Sequence, residues 1–154
     1  MILVRHVTKV EFVLLADNAQ AEDLNRHVGD CVQTAYSNGG MYIHTETHQE
    51  TRVLDEYLWT LGRAEEFAPH EVIETLPDTS LVGSSHSPIV IGASGEPDGS
   101  HRTLLNLSNQ VPWFFCRFEK LIELVRPGIN DRKMGRERYL YYKHRGYQLQ
   151  HRQL

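Results

Sequence analysis

Apolar residues in this chain come in two alternating rhythms, short continuous runs and stretches that repeat at helical spacing. Val10 to Ala16 (VEFVLLA) is β-branched and apolar, too short for a helix, and stopped by the turn-forming pair Asp17-Asn18, which predicts a strand buried on both faces. Ala21, Leu24, Val28, Cys31, Val32 and Ala35 then recur at helical spacing, and Asn38-Gly39-Gly40 closes that helix at about Ser37. Met41 to Thr45 (MYIHT) predicts a second short strand. Leu54, Tyr57, Leu58 and Leu61 predict a second helix, stopped by Gly62. Strand, helix, strand, helix at this rhythm implies parallel β-α units, hence an α/β fold: an open, mostly parallel sheet with helices on both faces.

After Pro69 the pattern loosens. His70 to Leu76 (HEVIETL) is expected to be extended, and a loop rich in Pro, Gly and Ser follows from Pro77 to Ser87. Two apolar runs, 88–92 (PIVIG) and 103–107 (TLLNL), flank a Gly95–Gly99 turn that suits either a hairpin or a surface loop. Trp113, Phe114, Phe115 and Phe118 lie close together and are expected in the core. Leu121 to Val125 (LIELV) predicts a late strand, ended by Pro127-Gly128. A last helix follows, capped by Asn130 or Asp131 and running over about 131–145. No internal repeat appears, and the length suits one domain over 1–154 with a core large enough to need no staple.

Charge changes the picture of that last helix. From Arg126 to Leu154 there are eight Lys/Arg and two acids, a net +6, whereas residues 1–125 hold eight bases and eighteen acids, a net −10. A mildly acidic chain thus ends in a cationic segment that attracts anionic partners. On the predicted helix Arg132, Arg136, Tyr139 and Lys143 share one face, a basic stripe with an aromatic in it. The two cysteines, Cys31 and Cys116, sit in apolar-patterned segments and are expected as free buried thiols. The opening MILVRHVTKVEF lacks the apolar core and cleavage site of a signal peptide, and no apolar run is long enough to span a bilayer. A cytoplasmic chain with no membrane contact is therefore expected.

Catalytic and cofactor motifs are missing where this fold class would carry them. Neither G-x-x-x-x-G-K-[ST] nor G-x-G-x-x-G occurs, and the first β-α connection, Ala16 to Gln20, has no glycine to admit a phosphate. Gly92-Ala93-Ser94-Gly95 has Glu96 where a nucleophile elbow needs its second glycine. His44 and His48 flank Glu46 in an order unlike H-E-x-x-H, at a strand-to-helix junction where the two rings need not share a face. Acid pairs such as Glu22-Asp23, Asp55-Glu56 and Glu65-Glu66 suit solvated helix faces. No intrinsic enzymatic activity and no cofactor or metal are expected.

Four segments carry a resemblance: Leu54-Asp55-Glu56-Tyr57-Leu58-Trp59, then Phe67-x-Pro69-His70, then Gly135-Arg136-Glu137-Arg138-Tyr139, then Arg145-Gly146-Tyr147. Together, in this order and with near-matching spacing, they resemble the chi subunit of bacterial DNA polymerase III, from the first strand to about Leu149. The loop Pro77–Ser87 and the segment Arg126–Met134 depart from that pattern. The resemblance implies a Rossmann-like domain that binds no nucleotide and serves DNA replication as a connector within a DNA-directed DNA polymerase (nucleotidyltransferase) complex. It would join the clamp loader, through the small psi subunit, to the acidic C-terminal tail of single-stranded DNA-binding protein, touching DNA only indirectly. By matching positions it assigns Arg136 to the tail carboxylates and Tyr139 to a pocket wall, with Arg132, Lys133, Lys143 and Arg126 as supporting charges. It assigns Trp59 and Phe67 to the surface facing psi. From the residues alone, a module that binds single-stranded nucleic acid directly is the alternative, because Tyr139, Tyr141, Tyr142 and Tyr147 interleave with the bases.

Overall fold

Every strand run of the sequence joins one sheet. A computed structural model of the chain describes residues 7–60, 70–73 and 87–154. β1 (Lys9–Leu14), β2 (Met41–His44), β3 (Glu71–Ile73), β4 (Ile89–Gly92), β5 (Thr103–Asn106), β6 (Lys120–Val125) and β7 (Leu149–Gln153) lie in the order β3-β4-β2-β5-β6-β1-β7. All six pairings are parallel. Among the described residues three α-helices complete the fold, α1 (Ala21–Ala35), α2 (His48–Thr60) and α3 (Ile129–His144).

The sheet is covered on both faces, and side-chain alternation sorts the core into two halves. Val13, Ile43, Ile91, Leu105, Ile122 and Leu124 pack with Val28 and Val32 of α1 and Leu54 and Leu58 of α2. Val10, Phe12, Tyr42, Val90, Leu104, Leu121 and Val125 face the other way, toward Tyr142 of α3 and the segment holding Phe114, Phe115 and Phe118. Trp113 is the exception in the aromatic cluster, 64% exposed with the Arg117 guanidinium 4.9 Å from its ring.

α1 begins where the Gln20 N–H donates to the Asp23 carboxylate at 2.8 Å, and it ends in two glycines with positive φ. At the second of these, Gly40, a side chain would have its Cβ 2.6 Å from the Pro88 carbonyl, so only glycine lets the chain turn straight into β2 there.

Several expectations change. The runs at 88–92 and 103–107 are not a hairpin, because β2 lies between β4 and β5 and pairs in parallel with both. Every residue of β4 and β5 is buried, the pattern of central parallel strands rather than of a half-solvated hairpin. α3 starts earlier than Asn130, with Gly128 as its cap, and the Arg132 N–H closes the first turn on the Gly128 carbonyl at 2.9 Å. Cys116 is exposed rather than buried, and both thiols are free. β7 is an edge strand that no apolar pattern announced: Leu149-Gln150-His151-Arg152-Gln153 has a single apolar residue and is held by its hydrogen bonds to β1. The Gly62 stop of the second helix lies outside the described residues. No described helix is long and apolar enough to cross a membrane.

Candidate functional site

A buried polar knot sets the position of α3. Glu123 stands in the middle of β6, wholly buried on the α3 face. Its carboxylate accepts from Arg138 Nε at 3.1 Å, Tyr142 Oη at 2.6 Å and Asn106 Nδ2 at 2.8 Å. Burial pushes the Glu123 carboxyl up to about 7, against the pull of the Arg138 charge and these hydrogen bonds. Arg138 Nη1 has no hydrogen-bond partner among the described residues, so the guanidinium depends on Glu123 for its charge balance. Arg138, one of the eight bases of the cationic segment, therefore points into the protein and binds the helix to the sheet.

One turn earlier, α3 comes so close to β6 that a Cβ on Gly135 would lie 3.0 Å from both Cγ atoms of Val125. Beside this close approach a groove of about 360 Å³ opens between helix and sheet. Its helix wall is Arg132, Gly135, Arg136 and Tyr139, and its sheet wall is Phe12, Leu14, Val125 and His151. Tyr139 packs edge-on against Phe12 with ring centroids 5.3 Å apart, which holds the phenol in place as one side of an apolar slot.

The cations around the slot are not equivalent. Arg136 is exposed and has no ion-pair partner among the described residues. Arg132 is already held, by the Leu15 carbonyl at 3.0 Å and the Asp17 carboxylate at 2.6 Å. Lys133 and Lys143 are exposed on α3 but do not line the groove, Lys143 lying one helical turn beyond Tyr139. Arg126 is elsewhere: it donates to Glu50 of α2 at 2.9 Å and to the Leu107 carbonyl at 3.0 Å, bracing the end of β6. Arg152, also counted in the cationic segment, faces the opposite side of the sheet and pairs with Glu11. Among the described residues, the eight-base patch thus leaves one unpaired guanidinium on the groove, that of Arg136, with Lys133, Lys143 and Arg145 exposed outside its lining. The sequence reading missed Phe12, Leu14, Val125, Gly135 and His151. The strand period could have grouped Phe12 with Leu14, but nothing in sequence relates β7 to α3.

Trp59 lies on α2, which covers the opposite face of the sheet. The residue is 48% exposed, with Nε1 donating to Asp55 at 3.0 Å and the His70 ring 4.8 Å away. Phe67 lies outside the described residues. His44 and His48 do not form a pair: His44 packs edge-on against Phe114 at the end of β2, where burial lowers its pKa, and His48 is exposed at the start of α2. A larger trough, about 710 Å³, lies between α1 and the sheet. Within it Glu11 bridges Lys120 and Arg152, and burial raises the Cys31 thiol to about 11, far from a reactive thiolate.

This is an α/β protein with an open parallel sheet that carries, on its α3 face, an apolar slot beside the exposed Arg136 guanidinium. Over residues 7–150 the chain matches the family model described as DNA polymerase III chi subunit, HolC. It is also 33% identical over 115 residues to DNA polymerase III subunit chi of Pseudomonas aeruginosa, covering 74% of each chain. The chain belongs to the DNA polymerase III chi subunit family.

Proposed function

We propose that this protein is a non-catalytic connector of the cytoplasmic replication machinery. Its α3 groove takes the acidic C-terminal tail of single-stranded DNA-binding protein, and its α2 face takes psi, and through psi the clamp loader. The observation that carries the reading is the groove itself. Phe12, Leu14, Val125 and Tyr139 can bury a terminal hydrophobic side chain while Arg136, unengaged at the rim, meets carboxylates in bidentate fashion. Lys133 and Lys143 extend the positive rim for acids farther along the tail. Arg126 has no place in it, because its guanidinium is engaged by Glu50.

The test is a pair of titrations at physiological salt, one with a synthetic peptide of several aspartates ending in phenylalanine and one with a single-stranded oligonucleotide. The peptide is expected to bind and to keep most of its affinity, since surface charges are screened over about 8 Å while the buried ring is not. The oligonucleotide is expected to bind much more weakly. The reverse order would favour the direct nucleic-acid module.

The exposure of Trp59 supports an anchor role facing psi, and its location across the sheet leaves both sites free to be filled at once. Trp59→Ala is expected to weaken capture of purified psi by about 2 kcal/mol or more, as for an interface anchor, with tail-peptide affinity unchanged. Parallel pull-down and calorimetry, with a thermal melt to verify folding, read both halves of that expectation.

A further inference from the structure

Few permanent cations line the groove itself. Of the two arginines lining the groove, Arg132 is matched by Asp17 at 2.6 Å, which leaves Arg136 alone on the helix wall. Across from it, β7 contributes one side chain to the groove, His151. Strand alternation places His151 there: Leu149 packs with the α3-side core, and Arg152 lies on the other face, tied to Glu11 at 3.2 Å. From β1 and β6 the groove receives only Phe12, Leu14 and Val125, which carry no charge. His144 lies more than one helical turn past Tyr139 on α3 and is not in the lining. Imidazole is the side chain whose charge ordinarily changes between about pH 5 and pH 8.

We propose that His151 is the second, pH-dependent cation of this groove, clamping the bound carboxylate opposite Arg136 and making tail capture stronger as pH falls. This rests on the reading of the groove as an acidic-tail site. A carboxylate held between the two walls favours the imidazolium, so binding takes up a proton and affinity rises below neutrality. The aspartates of the tail stay ionised down to about pH 5, so their own titration does not reverse the trend at pH 6.

The experiment is calorimetry of the full chain with the aspartate-rich, phenylalanine-terminated peptide at about pH 6 and about pH 8, using wild type, His151→Gln, His151→Arg and Arg136→Ala. For the wild type, affinity about two- to fivefold tighter at the lower pH is expected, the range for a partly exposed ion pair. His151→Gln should bind at both pH values with the weaker affinity, and His151→Arg at both with the tighter one. If His151→Gln keeps the wild-type pH dependence while Arg136→Ala still weakens capture strongly, the role of His151 is overturned and the groove reading stands. If the wild type binds no peptide at either pH, the groove reading fails and this inference fails with it. Because β7 is an edge strand and His151 is exposed, thermal melts of both His151 variants should match wild type.

Discussion

Arg138→Ala is expected to lower the stability of this protein by about 3–5 kcal/mol, the cost of breaking a buried ion pair by removing one partner. The Arg138 side chain is 4% exposed and its partner Glu123 is fully buried, so the variant leaves a buried acid without its cation, which must either stay charged in the centre of the sheet or take up a proton. Urea denaturation monitored by circular dichroism measures the loss. The size of the effect comes from the orphaned charge rather than from attraction within the intact pair, whose desolvation offsets much of its Coulomb energy. Replacing both partners together, Glu123→Leu with Arg138→Met, and removing the hydroxyl that would lose its acceptor, Tyr142→Phe, should therefore recover most of the stability. A triple variant as unstable as Arg138→Ala would mean that packing, not charge, governs the site.

Loss of the exposed guanidinium on the same helix has the opposite profile. Arg136→Ala is expected to weaken the acidic tail peptide by about 2–4 kcal/mol, as when one partner of a desolvated interfacial charge pair is removed, with folding stability unchanged. Arg136 makes no ion pair among the described residues, so no described ion pair is lost with it. Calorimetry on the folded variant checks both halves, and affinity within twofold of wild type would remove Arg136 from the site. Two arginines two residues apart thus divide the work. Their positions 200° apart around the helix place one against β6 and the other at the groove.

Fold class was legible in the sequence because its signals are local. The buried run at Val10–Ala16, the helical repeat from Ala21 to Ala35 and the glycines that end it each specify their element through nearest neighbours, and the structure keeps all three. The family was legible for a related reason: Leu54–Trp59 and Gly135–Tyr139 are contiguous motifs. What depends on separations of tens of residues was not. The hairpin alternative at 88–107 failed because β2 inserts between the two strands, a pairing no local pattern encodes. The net +6 of the C-terminal segment was a correct count. Only tertiary structure decided that Arg138 neutralises Glu123, that Arg126 and Arg132 answer Glu50 and Asp17, and that Arg152 leaves for the far face. Likewise His151 enters the groove because β7 pairs with β1 beside α3. Composition determines how much charge and apolar surface a chain carries, but which of it stays free for a partner is settled by pairings across the fold.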